Sequence, residues 1–175
     1  MTKSIPDNKS GKTARSQKYL TFNLGSEQYG LGILKVREII GIMDITRVPR
    51  TPDFIRGVVN LRGKVIPVID LRKKFGMATI DDTEQTCIIV VDMLFEDNSM
   101  LMGIIVDSVS EVLDIDIDDI EDTPIFGAAV STDFIQGIAK IKGGVKILLN
   151  IEMVLTTAEI LTLPQVATEV SSTSQ

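Results

Sequence analysis

The stretch DFIRGVVNLRGKVIPVIDLRKKFG, residues 53–76, sets two arginine-glycine corners, Arg56-Gly57 and Arg62-Gly63, in a dense apolar run. It predicts a strand, a tight turn and a second strand. Val58, Val59, Leu61, Val65, Ile66, Val68 and Ile69 supply β-branched and apolar filling, and the glycines mark points where the backbone bends. Pro67 lacks an N–H donor, so an edge or bulge position is expected for it. Asp70 is placed to cap a short helix, LRKKF, that Gly76 ends.

The same stretch recurs. DFIRGVVNLRGKVIPVIDLRKKF aligns without a gap on DFIQGIAKIKGGVKILLNIEMVL, so that residue 53 falls on 133, Gly57 on Gly137, Arg62 on Lys142 and Asp70 on Asn150. Upstream, GLGILKVREII from Gly30 aligns with GIIVDSVSEVL from Gly103, which places Val36 on Val109, Glu38 on Glu111 and Ile39 on Val112. The chain is a duplication with an insertion, DIDIDDIEDTP, in its second copy. A copy of about 70 residues with four or five short strands makes a poor flat sheet, and closure into a small barrel removes the exposed edges. Two packed barrels are expected.

The rest of the chain reads the same way. KYLTFNLGSEQYGLGI alternates about Gly25-Ser26 as a hairpin, and the β-branched content of LKVREIIG favours a short strand. CIIVVDMLFEDNSMLMGIIVDSVSEVLDIDI predicts two strands about the turn 96–99 and a third extended piece. NIEMVLTTAEILTL has helical spacing and predicts a carboxy-terminal helix. Residues 1–16 and 164–175 are polar and predict flexible tails around a domain at 17–163.

Composition narrows function by exclusion. The chain has 175 residues, 44% of them hydrophobic, which predicts a packed core rather than disorder. A net charge of −6 and only eight aromatic residues, six Phe and two Tyr, disfavour nucleic acid, including binding by an OB-type barrel. Without any histidine there is no Ser-His-Asp or Cys-His nucleophile and no histidine-held metal. Ser10-Gly11-Lys12-Thr13 imitates a phosphate loop, but Pro6 stands where its first glycine belongs. The aspartates from Asp114 to Glu121 lack the glycine and final glutamate of a calcium loop, and read as a solvated edge. No apolar run reaches the length of a membrane helix and no secretory signal opens the chain, so a cytoplasmic location without direct membrane insertion is expected. The lone Cys87 lies in the apolar string TCIIVV and is expected to be a buried, unreactive thiol.

The segments YGLGILKVREII, TPDFIRGVVNLRGKVIPVIDLR and GIIVDSVSEVL, in this order, resemble the CheW family of chemotaxis coupling proteins from about Gln17 to Leu163. The resemblance implies a mainly β fold of two intertwined five-stranded barrels of SH3-like or OB-like type. It also implies a noncatalytic adaptor, without cofactor, that joins methyl-accepting chemoreceptor cytoplasmic tips to the regulatory domain of the histidine kinase CheA in membrane-associated arrays. Its receptor-binding groove would involve Val36, Glu38, Gly57, Arg62, Cys87 and Val112. An amphipathic receptor helix would lay apolar anchors on Val36 and Val112, with Glu38 and Arg62 as rim charges. The family usually has a β-branched aliphatic where Cys87 stands. The alternative within the fold is a module of a CheV- or CheA-type protein, which would continue into phosphotransfer, ATP-binding or receiver segments.

Overall fold

The computed structural model describes residues 15–123, 133–156, 159–160 and 162–163. The expected tails at 1–14 and 164–175, and the phosphate-loop look-alike, lie outside these residues. Ser16, the last residue of the expected amino-terminal tail, already opens a strand opposite Asp116.

Eleven strands dominate the described residues: β1 Ser16–Leu24, β2 Glu27–Gly32, β3 Val36–Gly41, β4 Ile55–Leu61, β5 Lys64–Asp70, β6 Cys87–Phe95, β7 Asn98–Val106, β8 Ser108–Asp116, β9 Ile120–Glu121, β10 Ile135–Ile141 and β11 Gly144–Leu149. One sheet runs β8-β1-β2-β11-β10-β9, the other β3-β6-β7-β5-β4. Both mix the two copies of the repeat. In the first copy β5 pairs not with its own β2 but in parallel with β7, Val68 opposite Gly103, and reciprocally Leu148 of β11 lies opposite Gly30 of β2.

The duplication holds pair by pair. Ile55↔Ile69, Gly57↔Val68 and Leu61↔Lys64 in β4·β5 become Ile135↔Leu149, Gly137↔Leu148 and Ile141↔Gly144 in β10·β11, with the bulge at the same place in each. Val36 opposite Val91 and Val109 opposite Phe22 are equivalent edge pairs. Even the single bridge Thr46↔Val58 has a counterpart in Glu121↔Ile138.

Each sheet has two apolar faces, which explains runs such as CIIVVDM. Ile89, Val91 and Met93 of β6 join a large core shared between the sheets, while Ile88 and Val90 join a smaller cluster within their own unit. Tyr19, Ile115, Ala139 and Leu148 form the matching cluster of the other unit. Phe22, Tyr29, Phe75 and Phe134 follow one another across the shared core at centroid spacings of 5.8, 5.8 and 4.8 Å, the outer two pairs stacked and the Tyr29–Phe75 pair tilted.

Four expectations need correction. Among the described residues no ladder joins β3 to β4 or β8 to β9, so neither sheet closes into a hydrogen-bonded barrel, and one of them has six strands. The segment 42–54 that would complete the first closure carries Pro49 and Pro52 and makes only the Thr46 bridge. Pro67 lies in β5, between two neighbours rather than at an edge; it is accommodated because the ladder to β7 begins one residue later, at Val68. The carboxy-terminal helix is broken: Ile151–Met153 is a single 3-10 turn, and helix resumes at Glu159-Ile160. Thr156 restarts it through a reciprocal capping box, its Oγ1 accepting from the Glu159 amide at 3.1 Å while Glu159 Oε1 accepts from the Thr156 amide at 2.9 Å. Cys87, expected to be buried, is only partly so.

The short helix after β5 forms as expected. It spans Leu71–Lys74 (α1), and Asp70 accepts from the Lys73 amide at 3.3 Å. From it Arg72 reaches the β7–β8 corner, with Nε 2.8 Å from Asp107 Oδ1 and Nη2 2.6 Å from Oδ2. Asp107 Oδ2 also accepts from the Gly25 amide, and Arg72 Nη1 donates to the Ala78 carbonyl, each at 2.8 Å. One ion pair thus ties α1, the β1–β2 turn and the β7–β8 corner together.

Arg72 and the Gly25 amide hold the Asp107 carboxyl below its ordinary range, against a smaller opposing effect of burial. The native state therefore binds that proton more weakly than the unfolded chain. The resulting stability is present above the ordinary aspartate value of about 4 and fades as pH falls through the depressed native value. In urea titrations, the stability gap between wild type and Asp107→Asn is predicted to narrow as pH drops from about 6 to about 3. A constant gap would contradict this.

Gly57 has φ +146, and a Cβ there would overlap the Thr46 carbonyl oxygen. At the equivalent Gly137, which needs no positive φ, a Cβ would meet only the Ile120 Cγ2 at 2.6 Å and the Glu121 carbonyl at 3.1 Å. Gly57→Ala is predicted to cost about 1–3 kcal/mol through strain alone, and more than Gly137→Ala, as read by chemical denaturation.

Candidate protein-binding cleft

Glu38 projects from β3 and Arg62 from the β4–β5 turn, and the sheet order alone does not make them neighbours, since β3 and β4 are the two ends of the sheet. The bulge that separates Val36 and Glu38 in the pairing with β6 re-aims this edge, and the tight turn at Arg62, φ 52, turns its side chain toward it. The two side chains form a salt bridge, with Arg62 more exposed than Glu38, 69% against 31%. Glu38 raises the Arg62 pKa further through this hydrogen bond and its charge, so the guanidinium stays cationic.

They stand at the rim of a cleft of about 320 Å³ lined by Arg37, Glu38, Leu61, Arg62, Lys64, Val90 and Leu101. Leu61, Val90 and Leu101 belong to the small core of this unit, so the floor is apolar while the rim carries three cations and one carboxylate. Asp92 approaches Arg37 Nε at 3.4 Å from the neighbouring strand and also accepts from Ser99.

Of the six residues that the resemblance implies, only Glu38 and Arg62 line this cleft. Val36 packs partly buried against the shared core. Gly57 does not reach the cleft and acts on the backbone, where segment 45–46 lies against it. Cys87 pairs with Gly41 at the far end of β3, its thiol donating to the Gln85 carbonyl at 3.1 Å. Burial pushes that thiol's pKa up, opposed by the Val109 amide. Val112 lies on the other sheet, opposite Leu20 of β1, and is 49% exposed. Its equivalent by the repeat, Ile39, is 43% exposed on β3.

The resemblance did not single out Arg37, Leu61, Lys64, Val90 or Leu101. Leu61 and Lys64 flank the Arg62-Gly63 corner directly, which is a local signal. Val90 and Leu101 arrive through the pairings Glu38↔Val90 and Asp92↔Leu101, which periodicity within one strand does not reveal.

Comparison with known proteins agrees with this architecture. The CheW-like domain matches residues 18–159. The chemotaxis protein CheW of Klebsiella aerogenes is 40% identical over 151 residues, covering 86% of this chain and 89% of that protein. The chemotaxis protein CheW of Rhizobium meliloti is 31% identical over 147 residues, covering 84% and 92%. The crystal structure of the scaffolding protein TtCheW from Thermoanaerobacter tengcongensis matches with a TM-score of 0.73 at 38% identity, over 82% of this chain and 94% of that one. Matched along most of its length in both sequence and fold, the chain belongs to the CheW family of chemotaxis proteins.

Proposed function

We propose that this protein is a noncatalytic adaptor that couples chemoreceptor tips to the regulatory domain of the histidine kinase CheA, in the cytoplasm, at membrane receptor arrays. The observation that carries the reading is the cleft with an apolar floor and a charged rim, in a chain of this family. Among the described residues no helix is long and apolar enough to cross a membrane. Attachment to a receptor array then rests on protein contacts.

A receptor tip built of amphipathic helices fits such a cleft, with apolar side chains on Leu61, Val90 and Leu101 and carboxylates near Arg37, Arg62 and Lys64. The local excess of cations, in a chain of net charge −6, favours an acidic partner face. Val36, Cys87 and Val112 extend the receptor-binding surface along β3 and onto β8 in this reading, and Gly57 holds the geometry that presents Arg62.

Two outcomes follow for purified protein. Arg62→Ala and Glu38→Ala are predicted to melt with wild type, because an exposed ion pair contributes little to folding, yet to lose binding to a receptor-tip fragment in an equilibrium assay. Variants that melt well below wild type and bind normally would make the pair structural. Wild-type binding to the fragment is also predicted to weaken as salt rises from about 50 to about 300 mM, through screening of the rim; salt-independent binding would contradict the charge complementarity.

A further inference from the structure

The repeat builds one cavity twice. In the first, Arg56, Asp70, Arg72, Ile105 and Asp107 enclose a space that Ile80, Asp81 and Asp82, from the loop after α1, reduce to about 10 Å³. Arg56 holds that loop through Asp82 at 2.7 Å. The repeat carries the five enclosing residues onto Gln136, Asn150, Glu152, Gly32 and Leu34, and all five line a second cavity of about 500 Å³ at the ends of β1, β2 and β11. The filling loop's own counterpart is committed elsewhere: residues 79–83 correspond to 159–163, and Ile160 and Leu163 are buried in the shared core.

The filler of the first cavity has a short signature, Thr79-Ile80-Asp81-Asp82: a hydroxyl residue, isoleucine, any residue, aspartate. One other place in the chain carries it, Ser4-Ile5-Pro6-Asp7. That stretch lies outside the described residues, but it is tethered to the second cavity, whose lining includes Ser16 and Gln17 at the start of β1. Fully extended, the chain from Ile5 to Ser16 spans about 40 Å, so a reversal at Ser10-Gly11, midway along it, brings Ile5 back to the cavity. Pro6 biases Ile5 toward the extended conformation that lies along strand ends. Charge favours the same return. Where the segment meets β1, Arg15 pairs with Asp118 and Lys18 with Asp114, and Asp116 and Asp119 on this edge attract Lys9 and Lys12 of the returning chain.

We propose that residues 4–7 of this chain occupy the second cavity, with Ile5 inserted beside Ile33 and Leu149 as Ile80 is inserted in the first. Asp7 then accepts from the Gln136 amide where Asp82 accepts from Arg56; Gln136 gives one N–H to Tyr19 Oη at 3.1 Å, and its amide carries a second. An amide clamp is weaker than a guanidinium one. The tether offsets this, because insertion is intramolecular at an effective concentration of about 1 mM, so a contact too weak to hold a free peptide still closes. The latch would cover Leu34, which among the described residues is 94% exposed at the rim. It is independent of the adaptor reading.

Nuclear magnetic resonance of the full-length protein with labelled isoleucine and leucine methyls tests this. Cross-peaks from the Ile5 methyl to those of Ile33 and Leu149 are expected, with Ile5 shifted away from its position in urea. Gly32→Leu fills the cavity from within, since a Cβ there meets nothing within 4 Å and φ is −55; it is expected to abolish the cross-peaks and return Ile5 to its unfolded-chain position. Ile5→Asp, which leaves every described contact in place, is expected to move the Ile33 and Leu149 methyl signals, and it decides if Gly32→Leu fails to fold. A wild-type Ile5 at its unfolded-chain position overturns the proposal, as do cross-peaks that survive in folded Gly32→Leu or Ile33 and Leu149 signals that Ile5→Asp leaves unmoved. In a mixture of labelled and unlabelled chains, cross-peaks between chains would put a second copy's segment in the cavity and overturn the intramolecular latch.

Discussion

The parallel contact between copies, β5 with β7 and β11 with β2, is the constraint on which the remaining structure depends. Parallel neighbours cannot be joined by a tight turn, so each copy must donate its strand to the other rather than complete its own sheet. The contact also requires close approach. Across it, a Cβ at Gly103 would lie 3.3 Å from Val68 Cγ2, and one at Gly30 would lie 2.9 Å from Leu148 Cδ2. These two glycines occupy the same position in the repeat, facing the crossing from opposite sides.

Exchange makes the shared core large and the copies inseparable. It also builds the candidate site, because Arg37, Glu38, Leu61, Arg62 and Lys64 come from the first copy while Val90 and Leu101 come from the second. A single repeat would offer the charged rim with Leu61 alone of its apolar floor. The copies then diverge: Arg72 and Asp107 lock the first junction, whereas Glu152 and Leu34 stand at the equivalent positions of the second.

Much of this was legible in residues alone. The gapless match of 53–75 on 133–155 gave the equivalent hairpins down to their bulges, and Asp70 and Asn150 cap in matching positions. Strand exchange was not legible in the repeat, which aligns with itself whether its strands pair within or between copies; only the family resemblance implied intertwined units. Full closure is one way to relieve an edge, but the proline-bearing segment 42–54 forms a single β-bridge to β4, at Thr46, and leaves the ladder open. Helical spacing over 150–163 hid the capping box at Thr156, which breaks what periodicity joins. At the site, the resemblance reached Glu38 and Arg62, whose salt bridge crosses from one end of the sheet to the other. Their apolar neighbours became visible only through register.

Cross-strand nuclear Overhauser contacts between backbone protons measure the exchange itself. The account predicts contacts of Val68 and Ile69 with Gly103 and Ile104, and of Leu148 with Gly30. Contacts of Val68 with Gly30 and of Leu148 with Gly103 instead would mean that each copy pairs within itself, and the intertwined architecture would be wrong.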